Sequence, residues 1–209
     1  MNCRVAKKIL LTTFALLLFA LGAEARDRLY YRGFSGGMML HSGWVSAGDV
    51  AVGTLGQAMR GMPKGIGGAL KVQLGEHFRV GTEGYTSTLS YGEYGSSLSL
   101  GWGGVLVDWM FEAKMFSPYF GATIGGGGVK NITLNDHPAN DFIAEENLSY
   151  RKYSLPVVAP FVGVDYPLSE RMSLTFKADY IMPLSVGSLP AATDFPSGVR
   201  LYFGFLFSH

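Results

Sequence analysis

Three groups of residues in this chain have types and spacings that chemistry could use. The first is His41-Ser42, a base beside a hydroxyl nucleophile. The pair sits in a stretch that alternates like a β-strand, so the two side chains point to opposite faces and cannot share a site. The other histidines, His77, His137 and His209, are scattered. No spacing of histidines or carboxylates sets three ligands on one surface, so neither a metal nor a cofactor is expected. The second group is the run Gly125 to Gly128. It lacks the Lys-Ser/Thr tail and the following helix of a phosphate loop, and close strand approach or a narrow lumen explains it better. The third group is eight charges of balanced sign: Lys71, Arg79, Lys177 and Arg200 against Glu83, Asp108, Asp165 and Asp179. Each lies on the face opposite the large hydrophobics. Enclosed charges persist only if paired or hydrated. Two networks are therefore predicted, a lower one from the second to fourth strands and an upper one on the seventh and eighth, with Glu83 able to join either. Their role is either a plug against ion flow or the satisfaction of a polar core.

The elements that must position these charges are strands. The clearest is the last, where Val199, Leu201, Phe203, Phe205 and Phe207 share one parity and Arg200, Tyr202, Gly204 and Ser208 the other. In an ordinary soluble core the guanidinium would need a costly buried partner. A barrel that is apolar outside and polar inside accommodates it directly. The seventh strand, about 172–182, alternates as cleanly, with Lys177 and Asp179 opposite Phe176, Ala178 and Tyr180. Six more strands are read at about 30–45, 65–75, 78–90, 96–111, 118–132 and 155–166.

Local conflicts carry their own expectations. In the fourth strand Leu98, Leu100 and Trp102 are even-numbered but Val105, Val107, Trp109 and Phe111 are odd. A β-bulge at Gly103-Gly104 would reconcile them and keep Asp108 away from lipid. Pro156 and Pro160 predict a bulge or a frayed rim in the sixth strand, because proline cannot donate to a ladder. Aromatics near strand ends, among them Tyr30, Trp44, Phe78, Trp109, Phe111, Tyr119, Tyr166 and Tyr180, could form interfacial girdles. Connections after the second, fourth and sixth strands are short, and those after the first, fifth and seventh are long. Only the third-to-fourth connection breaks this rule.

Residues 1–25 read as a cleaved signal peptide: Arg4, Lys7 and Lys8 precede an apolar run from Ile9 to Gly22 and the small-x-small site Ala23-Glu24-Ala25. The apolar run is shorter than the roughly 20 residues a spanning helix needs. The chain's single cysteine, Cys3, lies inside this segment, which leaves no disulfide or thiolate metal site after cleavage. Cleavage turns the formal net charge of +1 slightly negative, so nothing attracts nucleic acid. With 29 glycines, 13% aromatic and 16% charged residues, and no long helical period, residues 26–209 read as one all-β domain. Asn131-Ile-Thr133 and Asn147-Leu-Ser149 match glycosylation sequons, relevant only to a eukaryotic secretory pathway.

The terminal strand resembles the C-terminal strand of bacterial outer-membrane proteins, with Phe207 as the closing aromatic and Ser208 and His209 as extra residues behind it. In pattern, residues 26–209 resemble the small eight-stranded outer-membrane barrels, the family of OmpA-like transmembrane domains. The resemblance implies an eight-stranded antiparallel up-and-down transmembrane β-barrel in a Gram-negative outer membrane, with both termini in the periplasm. It implies outer-membrane lipid and the barrel-assembly machinery as partners, the latter reading Val199, Leu201, Phe203, Phe205 and Phe207. It does not imply one activity. An eight-stranded interior is just wide enough for side chains, which disfavours conduction. The expected function is non-enzymatic, with loops 46–64 and 133–154 presented to a ligand, a host surface or an envelope neighbour. Two alternatives stay open: a lipid-modifying outer-membrane enzyme, with His41 the residue to test, and a secreted lipocalin-like binder, apolar inside and polar outside.

Overall fold

The strict alternation of side chains becomes a closed sheet. The computed structural model describes residues 30–47, 58–113, 115–136, 148–184 and 195–209. The segment read as a signal peptide, 1–25, lies outside the described residues, as do 48–57, 137–147 and 185–194. The described strands are β1 (Tyr31–Ser46), β2 (Arg60–Gly61), β3 (Lys64–Leu74), β4 (Phe78–Tyr91), β5 (Ser96–Met110), β6 (Ser117–Leu134), β7 (Leu148–Ser169), β8 (Met172–Pro183) and β9 (Ser197–Ser208). Each long strand pairs antiparallel with the next, and β9 returns onto β1 from Ser35↔Ser208 to Ser46↔Ser197. The eight long strands therefore form an up-and-down barrel, and β2 extends the sheet only against the end of β1. Following partners from Tyr31 through Leu74, Phe78, Trp109, Phe120, Val162, Ala178 and Leu201 leads back to β1 at Ser42. This stagger is the shear that lets eight tilted strands close.

The end with the short turns also holds the chain's first and last described residues: Gly75 N donates to Tyr30 O, and His209 N to Phe34 O. Outside, Met38, Leu40, Leu70, Val105, Ile124, Val162, Phe176 and Leu201 stand exposed in a belt around the wall. Such a belt suits hydrocarbon and not water. Inside, the opposite parity is buried.

The structure corrects the reading of the fourth strand. Pairing of β5 with β4 and with β6 runs without a register shift through Gly103 and Gly104, so there is no bulge. Every even position from Leu98 to Asp108 is on the inward face, and all but the side-chain-free Gly104 are buried. The parity of hydrophobics switches because the wall's polarity inverts along its height. Near the long loops the inside carries Leu89, Leu98, Leu100, Val129 and Leu155, while the outside carries Thr86, Thr88, Ser99, Lys130 and Lys152. That part of the barrel projects past the apolar belt and is built like a soluble one. The glycines serve close approach: a Cβ on Gly104 would lie 2.2 Å from Ile124 O.

Three further expectations change. β7 begins at Leu148, so 148–154 of the excursion placed at 133–154 is strand, paired from Thr133↔Ser149 and Leu134↔Leu148. Pro156 and Pro160 cause no bulge. Pro160 falls in a gap of the β7–β8 pairing, and beyond that pairing's end Leu184 N donates to Pro156 O. Tyr119 is buried in the lumen and belongs to no girdle, whereas Tyr30, Tyr31, Phe111 and Tyr166 are exposed around the turn end and Trp44 and Tyr180 nearer the other.

Candidate functional site: a charge-lined lumen

All eight inward charges are buried in the barrel, and the structure brings them together in two clusters. Register explains the first. Lys71, Arg79 and Asp108 lie on consecutive strands, with Arg79 directly paired to Asp108 across the ladder. Lys71 Nζ donates to Asp108 Oδ2 at 2.9 Å, and Arg79 Nε donates to Asp108 Oδ1. Arg79 Nη1 then reaches across the lumen to Asp165 Oδ2 on β7 at 2.8 Å. Tyr119 lies beneath both cations, with its ring centroid 4.3 Å from Lys71 Nζ and 4.7 Å from the Arg79 guanidinium. Tyr119 in turn bonds Thr175 through its hydroxyl.

The second cluster lies higher, on β4, β8 and β9. Glu83 accepts from Lys177 Nζ at 2.6 Å, from Tyr85 and from Thr123. Asp179 and Arg200, cross-strand partners, form a two-pronged bridge at 2.9 and 2.7 Å, and Tyr202 donates to Asp179 as well. Lys177 sits 4.4 Å over the Tyr202 ring, and the Arg200 guanidinium 4.6 Å over Trp102. Low dielectric and paired geometry make such contacts strong individually. Their main energetic weight is negative, because removing one partner strands a buried charge.

Above this cluster the lumen turns apolar. Met59 and Phe195 from the long connections, with Leu89, Leu100, Val157 and Ile181 from the wall, are almost wholly buried. Ion pairs below and a hydrophobic plug above leave side chains throughout the bore. His41 sits between the two, with its ring 5.5 Å from Tyr85 and 4.9 Å from Tyr202. Ser42 has the outward parity. No cluster of metal-ligating residues occurs among the described residues. Val199, Leu201, Phe203, Phe205 and Phe207 are exposed on the outer wall, while Tyr202 is buried inside.

Sequence reasoning missed the neutral half of these clusters. Tyr85, Thr123 and Tyr202 are signalled only by inward parity near a charge. The contact of Arg79 with Asp165 joins strands that are not neighbours, so no ladder register reveals it.

No protein-family model matches the chain, and no curated protein matches it in sequence. Solved structures do match. Ail, the attachment invasion locus protein of Yersinia pestis, is similar at 12% identity over 85% of this chain and 99% of its own, with a TM-score of 0.54. Neisserial surface protein A is similar at 14% identity over 84% of this chain and 96% of its own, with a TM-score of 0.52. The inward charges, the apolar outer belt and these likenesses agree, and the chain has the fold of the small eight-stranded outer-membrane β-barrels.

Proposed function

We propose that this protein is a sealed, non-enzymatic barrel of the Gram-negative outer membrane, inserted by the barrel-assembly machinery, whose outward connections, within the spans 46–64 and 133–154 expected as loops, recognise a surface ligand. The observation that carries this reading is the filled bore: buried ion pairs with an apolar plug above them give a solute no path. The eight charges act as the polar core of a narrow barrel, and what remains for function is its outward rim. The exposed belt argues against the lipocalin-like alternative, since it reverses that fold's polarity.

The described part of the rim carries exposed Arg60, Lys64, Lys130 and Lys152. This makes a sulfated saccharide the first ligand to try, and Ail has been solved with such a compound, the heparin analogue sucrose octasulfate. The test is planar-bilayer conductance of the refolded protein, followed by titration with sucrose octasulfate of wild type and of a variant in which Arg60, Lys64, Lys130 and Lys152 are replaced by glutamine. Absence of steady conductance, with binding lost in the variant, is expected. A stable open channel would overturn the sealed-barrel reading, and hydrolysis or acyl transfer on added phospholipid that His41→Ala abolishes would restore the enzymatic one.

A further inference from the structure

On the outer wall, above the apolar belt, Lys130 of β6 and Lys152 of β7 are directly opposed in the ladder, and both stand exposed. Directly opposed residues hold their Cβ atoms about 5 Å apart, and like charges so placed destabilise a sheet. Ser99 adjoins Lys130 on its other side. Among the described residues no carboxylate bridges to either lysine. An anion seated between the two ammoniums would turn their repulsion into attraction.

Below the pair the wall sinks into a shallow trough. Gly128 is paired with Ser154 and Gly126 with Pro156, while Gly101 and Gly103 continue the floor onto β5. Packing within the barrel does not require three of these glycines: a Cβ would meet nothing within 4 Å at Gly101, nothing nearer than 3.7 Å at Gly128 and nothing nearer than 4.0 Å at Gly126. Glycine inside a strand weakens it and marks places where a ligand or another backbone comes close. The trough runs down to Val105 and Ile124, a cross-strand pair in the apolar belt. From Lys130 to Ile124 is about 20 Å along a tilted strand, roughly the depth of one leaflet.

Charges above a trough one leaflet deep fit a lipid better than a soluble ion. Two ammoniums match a group that carries two negative charges, and a phosphate monoester carries about −1.5 to −2 at neutral pH. We propose that Lys130 and Lys152 hold the phosphate monoester of a lipid in the surface leaflet, with an acyl chain lying in the trough over Gly126 and Gly128. This rests on the outer-membrane reading above and adds a membrane ligand to it.

The test uses the full barrel, isotope-labelled, in phosphatidylcholine nanodiscs that carry rising fractions of dioleoyl phosphatidic acid, with the Gly126, Gly128 and Ser154 amides followed by NMR. Saturable shifts at these amides are expected. Dioleoylglycerol, which lacks the phosphate, and phosphatidylglycerol, whose phosphate is a diester, should each need a roughly tenfold higher fraction or more, the worth of one charge-assisted bond. Lys130→Gln combined with Lys152→Gln should weaken the response as much, whereas Arg60→Gln combined with Lys64→Gln should leave it in place. Gly128→Leu fills the trough without touching a lysine and should weaken binding several-fold while the barrel stays folded. Absence of saturable shifts in protein whose heat-modifiable mobility shows it inserted overturns the proposal and leaves the membrane reading standing. So does an equal response to phosphatidylglycerol, or an equal loss in the Arg60 and Lys64 variant, either of which would mark general attraction to anionic lipid. Equal shifts with inorganic phosphate in phosphatidylcholine alone would overturn it in favour of a soluble-anion site. A response unchanged by the paired lysine substitutions or by Gly128→Leu would place the lipid elsewhere and overturn it too.

Discussion

Replacing Asp179 by leucine should destabilise the barrel more than replacing Arg200 by methionine, although the two residues share one bridge. Both side chains are fully enclosed, so either single change leaves a charge without its main partner, at a cost of about 3 to 5 kcal/mol. The survivors differ. Without Asp179, Arg200 keeps only aromatic faces, Trp102 at 4.6 Å and Tyr202 at 5.5 Å. Without Arg200, Asp179 keeps the Tyr202 hydroxyl at 2.8 Å and the neighbouring ammonium of Lys177, which lies over that same ring. The upper end of the range is expected for Asp179→Leu and the lower end for Arg200→Met. The double variant removes both charges and leaves apolar groups of similar bulk, which often costs little. A coupling energy of at least about 2 kcal/mol should follow. The assay is reversible urea unfolding in lipid vesicles, followed by tryptophan fluorescence and gel mobility, for all four proteins. Coupling below about 0.5 kcal/mol would refute the bridge as an energetic unit, and the reverse order of the singles would refute the argument from the surviving partners.

Phe207→Ala should lower insertion by the assembly machinery more than Tyr202→Ala, because the first side chain is on the outer wall and the second is inside; equal insertion in a reconstituted assembly assay would remove the terminal-strand argument. Gly104→Ala should cost about 1 to 3 kcal/mol through contact with the Ile124 carbonyl, whereas Gly101→Ala, with nothing within 4 Å of its Cβ, should lie within about 0.5 kcal/mol of wild type in the same urea titration. Detergent-extracted protein should migrate differently before and after boiling and show almost pure β circular dichroism, since a closed barrel satisfies its own backbone groups. Recovery in a soluble fraction would contradict it.

The barrel and its inward charges were legible because period-two alternation reports only which face a residue takes. Lys177, Asp179 and Arg200 stand out against Phe176, Tyr180, Leu201 and Phe203, and counting up from the short-turn end puts Asp179 and Arg200 at similar heights on neighbouring strands. What was not legible depended on height as well as face. The alternation of Leu98, Leu100 and Trp102 shows that they share a face, but not that they lie inside a section whose outer face is polar. Asp165 could be placed on the inner face but not matched to Arg79, because that contact depends on shear and bore width. The start of β7 was obscured by Arg151 and Lys152, which look like loop residues until they are seen to lie beyond the membrane.

The inversion of the wall also fixes how thick a bilayer this barrel tolerates. On β4 and β5 the change from Val80, Val105 and Val107 to Thr86, Thr88 and Ser99 happens within a few residues of each strand, and it leaves no apolar margin to draw on. A thicker hydrocarbon layer would have to cover those hydroxyls or thin itself locally, at a fraction of a kcal/mol per ångström of mismatch. The bacterial outer membrane is thinner than most. The outward hydroxyls that stand opposite the apolar upper lumen therefore act as a gauge of depth, holding the barrel at one level and biasing it towards thin membranes.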